Sequence, residues 1–316
     1  MRRLLVLVTL AATAAAQTPT SLTSRDQWNV VEGMRAELNL PGLVVIIVRS
    51  DGAPKIIATG WRKWGERDQI QVTDRIHLGS NTKAMTGSLI AALVEQKRIT
   101  WETTIAQVFP ELVDSIRPEY RAVTVRQLMG HASGIHPYTD GNNLGAAFWS
   151  PKDTAGIRLR FAKKILREKP LYPPGTQHVY SNAGVSLVGF IAERVTGKSY
   201  ELLVDSLVFR PPGAHVLWGN PGLASTPQPW GHTTARFNGI KRISPADNDY
   251  VVPKVLVPAG DASPTFSDYA RFLQMHLRGL RGIDDGLKAS TIKELHAAIA
   301  PTDTSRDWGA GWGARI

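Results

Sequence analysis

His77-Leu78-Gly79-Ser80-Asn81-Thr82-Lys83 leads into an apolar series, Ala84, Leu89, Ile90, Leu93 and Val94, whose spacing predicts a mostly buried helix over 79–97, entered through Ser80. Residues three apart lie on one helical face, so Lys83 rises beside Ser80 by geometry alone. A serine hydroxyl is a poor nucleophile at its own pKa and needs a base within hydrogen-bond reach. A partly desolvated Lys83 would have its ammonium pKa lowered, and the neutral amine can accept the Ser80 proton. A serine in the first turn also meets free backbone N–H groups and the positive end of the helix, which favour a developing oxyanion. Taken alone, Ser-x-x-Lys is frequent by chance, and the bland alternative is Ser80 as a helix cap with Lys83 in solvent.

Tyr180-Ser181-Asn182 changes that balance. A tyrosine hydroxyl near two such groups can shuttle a proton between nucleophile and leaving group, and an asparagine amide can hold a substrate amide through both its donor and its acceptor. On its own, Tyr180 would be read as a core aromatic with a satisfied hydroxyl.

Read in order, His77 to Lys83, Val123-Thr124-Val125-Arg126-Gln127-Leu128-Met129, His131-Ala132-Ser133-Gly134, Pro173-Pro174-Gly175-Thr176 and Tyr180-Ser181-Asn182-Ala183-Gly184 resemble the serine β-lactamase-like family. The likeness is particularly to its branch of class C β-lactamases, D-alanyl-D-alanine carboxypeptidases and related esterases and peptidases, and it runs from about Gly42 to Trp312. The resemblance implies an acylated Ser80, a Lys83 that assists proton transfer, a Tyr180 acting as general base and acid, and a substrate-orienting Asn182. It implies an α+β fold, with an antiparallel sheet lobe from 24–75 and 264–316, an inserted helical lobe from 76–263, and a cleft at their junction. Substrates of such a site are β-lactams, D-amino-acid peptides or small esters, and neither a cofactor nor a metal is called for.

The family's third motif, on an inner strand that also supplies an oxyanion N–H, usually follows a phrase like Gly309-Ala310-Gly311-Trp312 by some tens of residues, whereas the sequence runs only to Ile316. His232-Thr233-Thr234 and Lys288-Ala289-Ser290 are local look-alikes without the third-place glycine, and neither is assigned. The expectation is therefore a sheet lacking C-terminal strands and a site lacking one oxyanion donor, a loss of about 3 kcal/mol in transition-state stabilisation. A defective or truncated relative that only binds cell-wall peptide is the alternative reading. On the same ground the Gly/aromatic alternation 308–316 is expected to begin a strand with nothing after it to pair.

Elsewhere the pattern predicts a helix over 24–38, a hairpin from 43–48 and 56–61 around Ser50-Asp51-Gly52, and helices over 154–167, 183–196 (closed by Gly197), 267–277 and 290–298. The hairpin is the only strong β signal in the first 250 residues, and 210–262, rich in Pro, Gly and Trp, reads as a long structured loop region beside a cleft.

Met1-Arg2-Arg3, an apolar stretch to Leu10 and small residues to Ala16 have the layout of a signal peptide over 1–16, which makes 17–316 one exported domain, secreted or periplasmic. No later segment offers eighteen uninterrupted apolar residues, so no integral membrane span is expected after cleavage. Removal of Arg2 and Arg3 takes the formal charge from +10 to +8, and the basic residues are dispersed, which argues against nucleic acid as a partner. With no Cys in the chain, neither disulfides nor thiolate chemistry enter. The eight His residues show no His-Glu-x-x-His phrase, and the one suggestive pair, His131 and His136, is read as capping and packing a loop. Gly197-Lys198-Ser199 has only the tail of a phosphate loop.

Overall fold

The computed structural model describes residues 24–139, 144–149, 156–235, 239–246, 251–297 and 307–314. The expected signal peptide lies outside the described residues.

The helix Thr82–Glu95 runs through the centre of the molecule, buried on every side from Thr82 to Leu93. Its small residues make this possible: Ala84, Gly87, Ser88, Ala91 and Ala92 let neighbours approach, while Met85, Leu89, Ile90 and Leu93 fill the gaps between them. Against it pack the helix Asn182–Thr196, also buried over most of its length, the turn Val257–Gly260, and the C-terminal helix Ala289–His296. Gly197 takes a left-handed conformation to end the second of these helices, and Ser199 caps the next one by accepting from the Leu202 N–H. Gly197-Lys198-Ser199 is thus a corner between two helices.

The predicted hairpin forms: strands β1 (Gly42–Ile47) and β2 (Lys55–Gly60) pair antiparallel with Leu43 opposite Thr59 and Val45 opposite Ile57. The helices Ser24–Glu37 and Phe266–Leu280 lie against it, which gives a sheet layer with flanking helices beside a helical body. Within 210–262 the structure corrects the loop reading, since β3 (Gly231–Ala235) and β4 (Gly239–Ile243) form a second antiparallel hairpin. Asn238-Gly239 is its hairpin signal in the sequence. His232 on β3 accepts a hydrogen bond from the Trp64 N–H through Nε2 at 2.9 Å, so this look-alike of the third motif fastens the β3–β4 hairpin to the Trp64 turn.

Two short helices lie between the central helix and Asn182–Thr196, Ile105–Val108 and Val125–Met129, and each starts with a complete capping box, Thr104 with Gln107 and Thr124 with Gln127. Thr104 and Thr124 are also antiparallel bridge partners: the Ile105 N–H donates to Val123 O and the Val125 N–H to Thr103 O, both at 3.0 Å.

The C-terminal phrase gives a second correction. It folds back on itself as a minimal hairpin, β5 (Asp307–Trp308) and β6 (Gly313–Ala314). The intervening turn presses on the central helix, where a Cβ on Gly87 would stand 2.2 Å from Ala310 O and one on Gly311, at φ +86°, would stand 2.3 Å from Lys83 O. Only glycine fits at either place. Trp312 in the same turn lies against the rings of His276 and His296. Ser88 gives its proton to Ala84 O, so it accepts from His276 Nε2–H at 3.1 Å, which leaves His276 Nδ1 to accept from His296 Nε2–H at 3.1 Å. This neutral chain ties the Phe266–Leu280 and Ala289–His296 helices to the central helix.

Candidate active site

A 3₁₀ turn, Gly79–Asn81, delivers Ser80 to the surface two residues before the central helix begins. Thr82 fixes that turn by donating to Gly79 O at 2.7 Å and accepting from the Ala262 N–H at 3.1 Å. Neither the turn nor the helix has a side-chain cap hydrogen bond, so Ser80 is no helix cap; its Oγ lies in the open.

Lys83 is 1% exposed and its Nζ has three oxygen neighbours: Ser80 Oγ at 3.2 Å, Asn182 Oδ1 at 2.7 Å and Ala259 O at 2.7 Å. Burial pushes its ammonium pKa down to about 7, because the charged form loses its hydration. The reading of Lys83 as a solvated surface lysine is thereby excluded.

Tyr180 arrives from the other side and donates its hydroxyl proton to Ser80 Oγ at 2.7 Å, with Lys83 Nζ lying 4.6 Å from its ring centre. Burial raises its pKa above the ordinary phenol value, while the Ser80 hydrogen bond pulls the other way. Tyr180 is therefore a neutral phenol over the physiological range. All four residues that the sequence singles out, Ser80, Lys83, Tyr180 and Asn182, meet in one constellation.

Further members come from positions to which the sequence reading gives no part in the chemistry. Ser181 caps the Asn182–Thr196 helix by accepting from the Gly184 N–H at 2.9 Å. His131, read as a loop-packing residue, is buried with its ring centre 4.6 Å from that of Tyr180, and its Nδ1 accepts from the Ser181 N–H at 3.1 Å. Burial, followed by the nearby Lys83 charge, pushes its pKa down to about 3, so it stays neutral and adds no second cation to the site. His136 instead contacts Lys169 O through its ring. The carbonyls of His136, Pro137 and Tyr138 in turn accept from Ser181 Oγ, the Asn182 N–H and Asn182 Nδ2, at 2.9, 2.8 and 3.2 Å. On the far side of the nucleophile turn, His77 Nε2 lies 3.3 Å from the Asp261 carboxylate. Among the described residues, no three His, Asp or Glu side chains are grouped to hold a metal ion.

Comparison with known proteins bears on the family and the fold. The Beta-lactamase family model matches residues 29–315. The chain is 25% identical over 299 residues to penicillin-binding protein 4 of Amycolatopsis lactamdurans, covering 89% of this chain and 73% of that protein. To a β-lactamase of Escherichia coli K12 it is 24% identical over 242 residues, covering 76% of this chain and 58% of the other, so it spans less than two thirds of that relative's length. The penicillin-binding protein of Bacillus halodurans superposes with a TM-score of 0.71 at 20% identity, over 90% of this chain and 82% of that one. D-alanine carboxypeptidase AmpC of Burkholderia cenocepacia gives 0.69 at 19% identity, over 92% and 73%. With its fold matched by these structures and nearly its whole length matched by the family model, the chain belongs to the Beta-lactamase family.

Proposed function

We propose that this protein is an exported serine hydrolase that opens an amide or ester bond through an acyl-Ser80 intermediate. The observation that carries the reading is the convergence of Lys83 Nζ and the Tyr180 hydroxyl on the exposed Ser80 Oγ, at 3.2 and 2.7 Å.

The hydrogen-bond inventory divides the roles. A neutral amine has two N–H bonds and one lone pair. With Asn182 Oδ1 and Ala259 O as the two acceptors, the lone pair of Lys83 is left for the Ser80 proton. A pKa of about 7 keeps much of Lys83 in that neutral form at physiological pH. Tyr180 already donates to Ser80 Oγ, so it acts as the acid: as Oγ bonds to the carbonyl carbon, the phenol is freed to protonate the departing group. The proton lost by Ser80 rests on Lys83 and restores the phenol, leaving a neutral site and an ester on Ser80. Water then hydrolyses this ester by the same steps in reverse order.

The names of the penicillin-binding protein and the β-lactamase among the relatives support β-lactams as substrates, with D-amino-acid peptides and small esters as further classes. The layout of residues 1–16 supports export, and N-terminal sequencing of the secreted chain is expected to begin near Gln17.

The decisive experiment is intact-mass analysis after incubation with a penicillin and, separately, a fluorophosphonate. One adduct per chain, lost in Ser80→Ala, is expected, and the preferred probe identifies the substrate class. A folded sample that forms no adduct with either probe rules the proposal out in favour of a relative that binds cell-wall peptide without turning it over.

A further inference from the structure

The Asn182 amide is gripped at both ends, by Lys83 Nζ at Oδ1 and by Tyr138 O at Nδ2. A carbonyl can only accept, and an ammonium can only donate. Turning the amide over would set oxygen against oxygen at Tyr138 and N–H against N–H at Lys83, so the Tyr138 carbonyl selects which end of Asn182 faces Lys83.

That carbonyl points where it does because Tyr138 has φ +51°, in the left-handed region that non-glycine residues seldom enter. Such a conformation persists only where its surroundings hold it. Here they do: Tyr138 is buried, its hydroxyl donates to Glu168 Oε1 at 2.6 Å and accepts from Lys164 Nζ at 2.5 Å, and its ring meets Phe161 edge-on. Lys164 also reaches Glu168, at 2.6 Å, which closes a triangle of contacts around the hydroxyl. None of these groups touches Ser80, Lys83 or Tyr180 in any contact described above.

We propose that Tyr138 is a positioning residue for the serine–lysine pair: its left-handed backbone aims its carbonyl at Asn182, which fixes the amide so that Oδ1 occupies one of the three directions around Lys83 Nζ and leaves another free for Ser80. The inference rests on the acyl-transfer reading of the site. It separates two functions in one residue, a backbone that sets the direction of a carbonyl and a side chain that keeps the backbone there.

The test contrasts Tyr138→Asn with Tyr138→Val in the full chain. Both lose the contacts to Glu168 and Lys164. Asparagine tolerates the left-handed region, whereas a β-branched valine there is a severe outlier. Two readouts are taken: the pH profile of fluorophosphonate labelling at Ser80, and the titration midpoint of Lys83 followed by NMR on chain carrying ε-¹³C-lysine. Tyr138→Asn is expected to label several-fold faster than Tyr138→Val, with a Lys83 midpoint nearer that of the parent. Tyr138→Val is expected to fall by about tenfold or more, a part of the roughly 10²–10⁴-fold that positioned proton transfer supplies, and its Lys83 midpoint should drop because the ammonium loses an acceptor. Should Tyr138→Val fail to fold, Tyr138→Ala against Tyr138→Gly reads the same contrast. Equal labelling and equal midpoints within either pair overturn the proposal. The two readings fail separately: a parent chain that is never labelled refutes the acyl-transfer reading, while the NMR midpoints still decide the role of Tyr138.

Discussion

Lys83 Nζ and Asn182 Oδ1 lie 2.7 Å apart, joining a buried lysine to a neutral amide. The amide satisfies an N–H of Lys83 without adding a charge that would hold its proton in place. Replacing Asn182 with Asp puts an opposite charge against the ammonium, which raises a neighbouring pKa by about 1–3 units. Asn182→Asp is therefore expected to move the alkaline rise of Ser80 labelling upward by at least one pH unit. Activity at pH 7 should fall by about tenfold and recover near pH 9. An unchanged pH profile would show that Lys83 is not the group being titrated.

Burying Lys83 costs stability, and the sign follows from its pKa. The folded value of about 7 lies below the ordinary lysine value of 10.5, so between those pH values the unfolded chain binds more protons than the folded one. Stability should rise with pH across that window, by up to about 1.4 kcal/mol per unit. Lys83→Met should abolish labelling in the intact-mass assay, and denaturant titrations at pH 7, 8 and 9 should show it more stable than the parent at pH 7 with a flatter pH dependence.

On the acid side, His131 and His276 are both buried with depressed pKa values, His276 through burial followed by the charge of His296. Each is neutral when folded and protonated when unfolded below about 6.5, so stability should fall as pH drops through 6, by about 1.4 kcal/mol per unit for each histidine. Protonating His276 at Nδ1 also removes the acceptor for His296. His276→Gln is expected to reduce the acid slope in urea titrations at pH 6.5, 5.5 and 4.5. Identical slopes in variant and parent would assign the loss to other groups.

Gly87 is a helix-interior glycine, and replacing such a residue with alanine ordinarily stabilises a helix by about 1 kcal/mol. Here the new methyl would meet Ala310 O at 2.2 Å. Gly87→Ala should reverse the usual sign and destabilise by about 1–3 kcal/mol, as read from the midpoint of chemical denaturation. A stabilised variant would mean that the Gly309–Trp312 turn is not seated on the helix.

The four site residues were legible because their signals are local. Ser80 and Lys83 share one helical face, and Tyr180 and Asn182 sit within three positions ahead of an apolar helix. What the sequence did not reveal is carried by backbone atoms. The carbonyls of Ala259 and Tyr138 complete the surroundings of Lys83 and Asn182, yet any residue has a carbonyl, and only the path of the chain decides where it points. His131 was hidden for a related reason: its role comes from Ser181, fifty residues away. The β3–β4 hairpin escaped because Gly-His-Thr-Thr-Ala lacks apolar alternation, and its Asn238-Gly239 turn signal lies within a Pro- and Gly-rich region. The C-terminal hairpin escaped because two-residue strands are too short to show any period at all.

The paired capping boxes at Thr104 and Thr124 carry a kinetic implication. Helices of four and five residues are far shorter than the ~12–15 at which a helix holds by itself in water. Each helix start also uses backbone hydrogen bonds supplied by the strand-like residues ahead of the other, so unwinding one strips partners from both. The pair is expected to open as a single event, with the Ile105 and Val125 amides exchanging at one common rate. Gly130 and His131 follow directly from the second helix, so the same opening would loosen the wall behind Tyr180. How long the site stays assembled between openings would then be timed by two threonine–glutamine clasps that never touch a substrate.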